Sequence, residues 1–188
     1  MCVRDHVLFL RDWVCDPLQV AAIAPSSLSL AHIMTSEISF RDAPILELGP
    51  GTGVFTRQLI QKGIPQENLV LVESCQGFAD LLEWRFPKAR IICRDASKLI
   101  VNEHMVPGTA GAVISSLPLA IMPARKVMTI MRFAFRSLKS ESFFYQFTYG
   151  QRCPVAPAIL DRCGLSSTNI GHTFLNLPPA SVYRIFRK

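Results

Sequence analysis

The sequence predicts an α/β fold: a doubly wound, mostly parallel sheet of seven strands with helices on both faces and a C-terminal antiparallel hairpin. Three observations carry this. Short apolar runs at 45–48, 69–73 and 111–119 read as buried parallel strands and alternate with helix-spaced segments. The first run breaks into alternating glycines, Gly49-Pro50-Gly51-Thr52-Gly53, directly ahead of a helical segment at 54–60. The last two strands, 165–170 and 182–186, follow one another with only a loop at 171–181, which suggests a hairpin at one sheet edge.

Size and composition bound the rest. A chain of 188 residues suits one domain, here 1–188, with N-terminal helices over 1–40 and an α/β core over 41–188. Hydrophobic residues make up 49% and mean hydropathy is +0.28, so the sheet is deeply buried or the protein meets lipid. No run approaches the roughly 18 apolar residues of a spanning helix. The run at 7–10 is too short for a signal peptide and is flanked by Asp5 and Asp12. A cytoplasmic protein, peripheral on the inner face of the cytoplasmic membrane, is the expectation. Six cysteines are scattered without a C-x-x-C pair, which argues against a metal site or a disulfide framework. A net charge of +6 and a pI near 9.2 favour anionic partners, acidic lipid or nucleic acid alike.

The elements follow in order. Residues 4–14 have helical spacing, with Val7, Leu10 and Val14 on one face, Phe9 and Trp13 adjoining, and Arg4, Asp5, Arg11 and Asp12 opposite. Such a helix either docks on the domain or lies at a membrane surface, where Phe9 and Trp13 suit the headgroup layer and Arg4 and Arg11 attract acidic lipid. Pro17 ends it. Ser26 or Ser27 is placed to cap a helix over 28–37, or to line the lip of a ligand pocket. Next comes Glu47-Leu48-Gly49-Pro50-Gly51-Thr52-Gly53. A dinucleotide fingerprint needs a third glycine at position 54, where Val54 stands. The pattern Glu-x-Gly-x-Gly-x-Gly resembles instead motif I of the class I S-adenosylmethionine-dependent methyltransferases.

Strand 69–73 ends in Glu73, 20 residues beyond Gly53, where a carboxylate can accept both hydroxyls of a ribose. After a helix at 78–86, strand 90–96 brings Asp95 and Ala96 to the edge of an adenine ring, with helix capping as the competing role for Asp95. Strand 111–119 runs into the loop Ser115-Ser116-Leu117-Pro118-Leu119, at the sheet edge where ligands bind. A helix at 125–138 and a strand at 143–148 lead to Tyr149. No general base is evident.

Over nearly its whole length the chain resembles the bacterial phospholipid N-methyltransferases. The residues that carry the likeness are Phe9 to Leu18, Val20 to Ser27, Glu47 to Gly53, Leu69 to Glu73, Ser115 to Leu119, Gln146-Phe147-Thr148-Tyr149-Gly150 and Asn176-Leu177-Pro178-Pro179-Ala180. The resemblance implies a Rossmann-like class I methyltransferase fold and S-adenosylmethionine as methyl donor. It also implies stepwise N-methylation of phosphatidylethanolamine toward phosphatidylcholine, with attachment through the N-terminal helix; for that amine, Tyr149 is the candidate to orient it, with Ser116 assisting and His172 a further proton acceptor. The expected donor set is Ser26, Glu47, Gly49, Gly51, Thr52, Gly53, Glu73, Ser74, Asp95, Ala96 and Ser115. The expected partners are a phospholipid and an anionic membrane surface, with nucleic acid not expected and the oligomeric state open.

The rRNA adenine dimethyltransferases are the alternative, along with methylation of another small amine. The loop of that family reads Asn-Leu-Pro-Tyr, whereas Ser116, Leu117, Pro118 and Leu119 stand here, without the amide or the aromatic ring that hold a flat base.

Overall fold

The computed structural model describes residues 25–175 and 178–188. One seven-stranded sheet runs in the order β3-β2-β1-β4-β5-β7-β6. Its strands are β1 (Ile45–Leu48), β2 (Leu69–Glu73), β3 (Arg90–Cys93), β4 (Ala110–Ser115), β5 (Leu138–Thr148), β6 (Leu165–Thr173) and β7 (Ala180–Arg187). The first five are parallel, and β7 inserts antiparallel between β5 and β6. This is the predicted doubly wound sheet with its terminal hairpin.

The helices are α1 (Pro25–Met34), α2 (Val54–Gln61), α3 (Gln76–Arg85), α4 (Ala124–Ser137) and α5 (Pro157–Arg162). Side chains alternate across the parallel strands, so each strand feeds two cores. Leu46, Leu48, Val70 and Val72 pack with Val127, Ile130 and Met131 of α4 and with Ile159 and Leu160 of α5. Ile45, Leu69 and Leu71 point the other way, toward Leu30 and Met34 of α1, Phe55 and Leu59 of α2, and Leu82 of α3. The buried face of α4 repeats at helical spacing through Val127, Ile130, Met131, Ala134 and Phe135.

Strand order reverses between β1 and β4, since β1 leads outward to β2 and β3 while β4 leads the other way to β5. That switch point leaves a crevice beyond the carboxyl ends of β1 and β4, where open α/β sheets bind ligands. β6 runs parallel to β5, so the hairpin tip after Thr173 stands on the same sheet edge.

Several expected boundaries move. The first described helix includes Ser26 and Ser27, so neither precedes it as a cap, and it ends at Met34. β3 stops at Cys93 because Asp95 turns away to cap the single helical turn Ala96–Lys98. β5 starts earlier, at Leu138, and continues across an irregularity in its pairing with β4. β6 and β7 are longer than expected, and His172 is a strand residue paired with Ser181 instead of a loop residue. α5, only six residues long, is too short to leave a periodicity in the sequence. The helix expected at 4–14, with Phe9, Trp13, Arg4 and Arg11, lies outside the described residues, as does the Ser26 side chain.

Candidate donor and acceptor site

The glycines of the turn after β1 have φ values of 71° at Gly49, 55° at Gly51 and 80° at Gly53, all in the left-handed region that disfavours side chains. Two are also closely covered. A Cβ on Gly53 would lie 2.4 Å from the Phe86 ring, and one on Gly49 would lie 3.0 Å from Leu117 Cδ2. Gly51 differs, because a Cβ there would meet nothing within 4 Å. Its bare backbone faces open space, as a ligand-contacting glycine must. The turn is braced from α3, where Arg85 donates a 2.7 Å hydrogen bond to the Thr52 carbonyl. Gly53 then leads into the N-terminus of α2, whose unpaired N–H groups suit an anionic group such as a carboxylate.

Glu47 shares the face of Ile45, two residues earlier, and therefore points at α2. It is fully buried, and its Oε2 accepts a 2.7 Å hydrogen bond from the Thr56 hydroxyl. Its Oε1 is buried with no partner among the described residues. Burial pushes the Glu47 pKa up to about 7; the Thr56 bonds oppose this and the nearby Glu73 adds to it. A buried carboxylate with one vacant oxygen fits a cationic ligand group such as the donor's ammonium.

Glu73 is 5% exposed at the end of β2. Its Oε2 accepts from the Gly51 N–H at 3.1 Å and its Oε1 from the Cys75 N–H at 2.9 Å. The two strand-end acids thus flank the same turn, with Thr52 half-buried in it and Ser74 exposed beside Glu73.

Asp95 takes the capping role. Its Oδ1 accepts from the Ser97 N–H and hydroxyl, both at 2.8 Å, and its Oδ2 pairs with Lys126 Nζ at 3.0 Å. Burial works against its ionisation, yet the Ser97 and Lys126 bonds hold its pKa below the ordinary carboxylate value. Ala96 is buried beside it.

On the other side of the switch point, Ser115 is fully buried and lies level with Gln146 of β5. Ser115 Oγ accepts from the Leu117 N–H at 3.3 Å, while Gln146 Nε2 donates to the Leu117 carbonyl at 3.0 Å and the Phe147 carbonyl at 2.8 Å. Both ends of the Leu117 residue are therefore fixed from the sheet. Two carbonyl partners also set the amide orientation of Gln146 and leave its Oε1 buried without a partner among the described residues. The half-buried Ser116 donates its N–H to the Leu48 carbonyl at 2.9 Å, tying this loop to β1.

Tyr149, 36% exposed, rests edge-on against Phe147 with ring centroids 5.4 Å apart. Burial raises its pKa above that of a free phenol, so its hydroxyl stays protonated at neutral pH. His172 instead stacks edge-on with Phe174 in the hairpin. Thr56 and Gln146 are the polar residues that the sequence reading missed as site residues. The signal for Gln146 is a polar residue inside an otherwise apolar strand, and for Thr56 it is a hydroxyl in the first turn of the helix after the glycines.

The elements just described make up the class I S-adenosylmethionine-dependent methyltransferase fold. Among solved structures, the chain superposes with a TM-score of 0.65 at 16% identity on a TehB-like S-adenosylmethionine-dependent methyltransferase from Corynebacterium glutamicum, covering 98% of this chain and 97% of that one. It superposes with a TM-score of 0.66 at 13% identity on 1,6-didemethyltoxoflavin-N1-methyltransferase of Burkholderia thailandensis, solved with S-adenosylhomocysteine, covering 100% and 91%.

In sequence, the chain is 26% identical over 188 residues to ornithine lipid N-methyltransferase of Singulisphaera acidiphila, spanning 96% of this chain and 95% of that protein. It is 29% identical over 126 residues to ribosomal RNA small subunit methyltransferase A of Parabacteroides distasonis, spanning 66% of this chain and 39% of that protein. No protein-family model matches the chain.

Proposed function

We propose that this protein is an S-adenosylmethionine-dependent N-methyltransferase acting on the headgroup amine of a membrane lipid. Phosphatidylethanolamine, methylated stepwise toward phosphatidylcholine, is the first candidate. The observation that carries the reading is the extent of the likeness: it runs end to end with a lipid N-methyltransferase, but covers only 39% of the rRNA methyltransferase from Parabacteroides distasonis. The loop Ser116-Leu117-Pro118-Leu119, without an amide or an aromatic ring to hold a base, points the same way.

The donor supplies an electrophilic methyl group on a sulfonium. The residues present fit it: the vacant Glu47 Oε1 would take its ammonium, the open backbone at Gly51 its body, and Glu73 its ribose. Ala96 would meet the adenine, with Asp95 held beside it by Ser97 and Lys126, and Ser74 and Ser115 completing the wall. On the acceptor side the chain must position a free amine and keep water out. An alkylammonium loses its proton only near pH ~10.4 in water, and burial beside a cation lowers that value. A neutral Tyr149 hydroxyl can accept a hydrogen bond from the amine and aim its lone pair, with Ser116 assisting; it does not act as a phenolate base.

A lipid substrate places the site at a membrane. No helix among the described residues is long and apolar enough to cross one. Contact at the inner face of the cytoplasmic membrane is assigned to the segment 4–14 through Phe9, Trp13, Arg4 and Arg11. It gains support from Phe174 and Leu175, 77% and 74% exposed on the sheet edge that holds the site. Incubation with labelled donor and either phosphatidylethanolamine vesicles, ornithine-lipid vesicles or ribosomal RNA tests the reading. Label is expected in lipid, and label in dimethylated adenine alone would overturn the assignment.

A further inference from the structure

We propose that an open cleft of about 620 Å³, between the loop after β4 and the segment after β5, binds the oxyanion of a zwitterionic amine acceptor, with Arg152 as its counter-charge. This inference rests on the acceptor reading above and adds the group that selects among amines. Ala120 lines one side of the cleft, and Thr148, Gly150, Gln151, Arg152 and Cys153 line the other. Among the described lining residues Arg152 is the only charged one, and it forms no ion pair with a described carboxylate.

The backbone that carries Arg152 is held in place. Tyr183 of β7 donates its hydroxyl to the Gln151 carbonyl at 2.7 Å, the Gly150 N–H donates to Thr148 Oγ1 at 3.2 Å, and Val155 is fully buried behind them. A guanidinium that starts from a fixed backbone loses less freedom on meeting an anion, and its fork matches phosphate or carboxylate oxygens in pairs.

Its place along the sheet edge suits the role. Donor features sit beyond β2 and β1, the Leu117 loop beyond β4, and the cleft beyond β5. Neighbouring strands lie about 4.8 Å apart, so the cleft is roughly one strand spacing past the centre of the site. A spacer of two to four carbons between amine and oxyanion covers roughly one to one and a half such spacings. The chemistry gains as well. An oxyanion near an ammonium stabilises its charged form, and pairing that oxyanion with Arg152 removes the stabilisation, so the nucleophilic free base forms more readily.

The probes are glycerophosphoethanolamine for a phosphodiester, Nα-acetylornithine for a carboxylate, and ethanolamine for an amine without either. Affinities are measured by calorimetry with S-adenosylhomocysteine present, on the unaltered protein, Arg152→Gln and Arg152→Lys. At least one oxyanion-bearing probe is expected to bind roughly 10- to 100-fold tighter than ethanolamine, the range of a charge-assisted contact. Arg152→Gln should erase that advantage at an unchanged melting temperature, and Arg152→Lys should restore part of it. The probe that gains identifies phosphodiester or carboxylate. No advantage in the unaltered protein, or an advantage retained in Arg152→Gln, overturns the inference. Vesicle methylation is read alongside. An Arg152-dependent advantage without lipid methylation keeps the subsite and removes the lipid reading, whereas lipid methylation indifferent to Arg152 does the reverse.

Discussion

Thr56 donates its hydroxyl to Glu47 from the first turn of α2, and burial leaves the other carboxyl oxygen of Glu47, Oε1, without a partner among the described residues. Its consequence is a dependence on pH. With its pKa raised to about 7 in the fold, Glu47 holds a proton in the native state that the unfolded chain releases near its ordinary value of 4.5. Between those values the native state binds more protons, so stability falls as pH rises from about 4.5 to 7 and levels off above. The loss is roughly 3 kcal/mol at most, from 1.36 kcal/mol per pH unit. Denaturant melts across this range should show the decline in the unaltered protein and lose most of it in Glu47→Gln. If Glu47 is also the ammonium's partner, affinity for S-adenosylhomocysteine should increase from pH 6 to pH 8, and Glu47→Gln should flatten that profile.

Gly51 and Gly63 separate the demands of backbone from those of ligand. Both have positive φ, 55° and 89°, and a Cβ on either would meet nothing within 4 Å. Alanine at either position should cost about 1–2 kcal/mol for the left-handed conformation. Only Gly51→Ala should also weaken donor binding, by at least tenfold in calorimetry. Equal donor affinity in the two variants would remove Gly51 from the site. Valine is a poorer probe, since a β-branched residue at this φ strains the fold as well as the ligand.

Gln146→Leu should cost about 1–3 kcal/mol, because the Leu117 and Phe147 carbonyls lose their side-chain donor. Amide hydrogen exchange over 116–119 should accelerate, and the KM for the acceptor should increase more than kcat falls. Gln146→Glu should be worse at neutral pH, as a carboxylate would then face two carbonyl oxygens. Unchanged exchange in a stable Gln146→Leu protein would show that the loop holds itself.

Gly111 is a packing glycine that carries no ligand expectation. A Cβ there would fall 1.9 Å from the Asp42 carbonyl oxygen, and its N–H donates to the Pro44 carbonyl at 2.9 Å. Gly111→Ala should therefore destabilise by about 3 kcal/mol or more, at the upper end of overpacking costs. A thermal melt within a degree of the unaltered protein would contradict this.

The parallel strands were legible because burial on both faces writes itself as unbroken apolar runs, such as Leu69 to Val72, each ending where the chain turns. The glycine turn was legible because alternating left-handed positions demand alternating glycines. What escaped was set by contacts between distant residues. The Gln146 grip on Leu117 spans 29 residues, and β7 decides that His172 lies in a strand. Neither leaves a local period in the sequence. The resemblance that named the fold added the order of the motifs, but it did not show that both oxygens of Asp95 already have partners within the chain.

Leu117 lies against Gly49 while the sheet fixes its backbone, so the glycine turn and the loop after β4 share one wall. A donor on the turn and an acceptor on the loop would both meet that wall. Whatever factor the donor contributes to the acceptor's affinity, the acceptor must return to the donor's, because the two equilibria close a thermodynamic cycle. If an acceptor binds against this wall, the ratio of its affinities with S-adenosylmethionine and with S-adenosylhomocysteine bound equals the ratio by which the acceptor discriminates between those two donor forms.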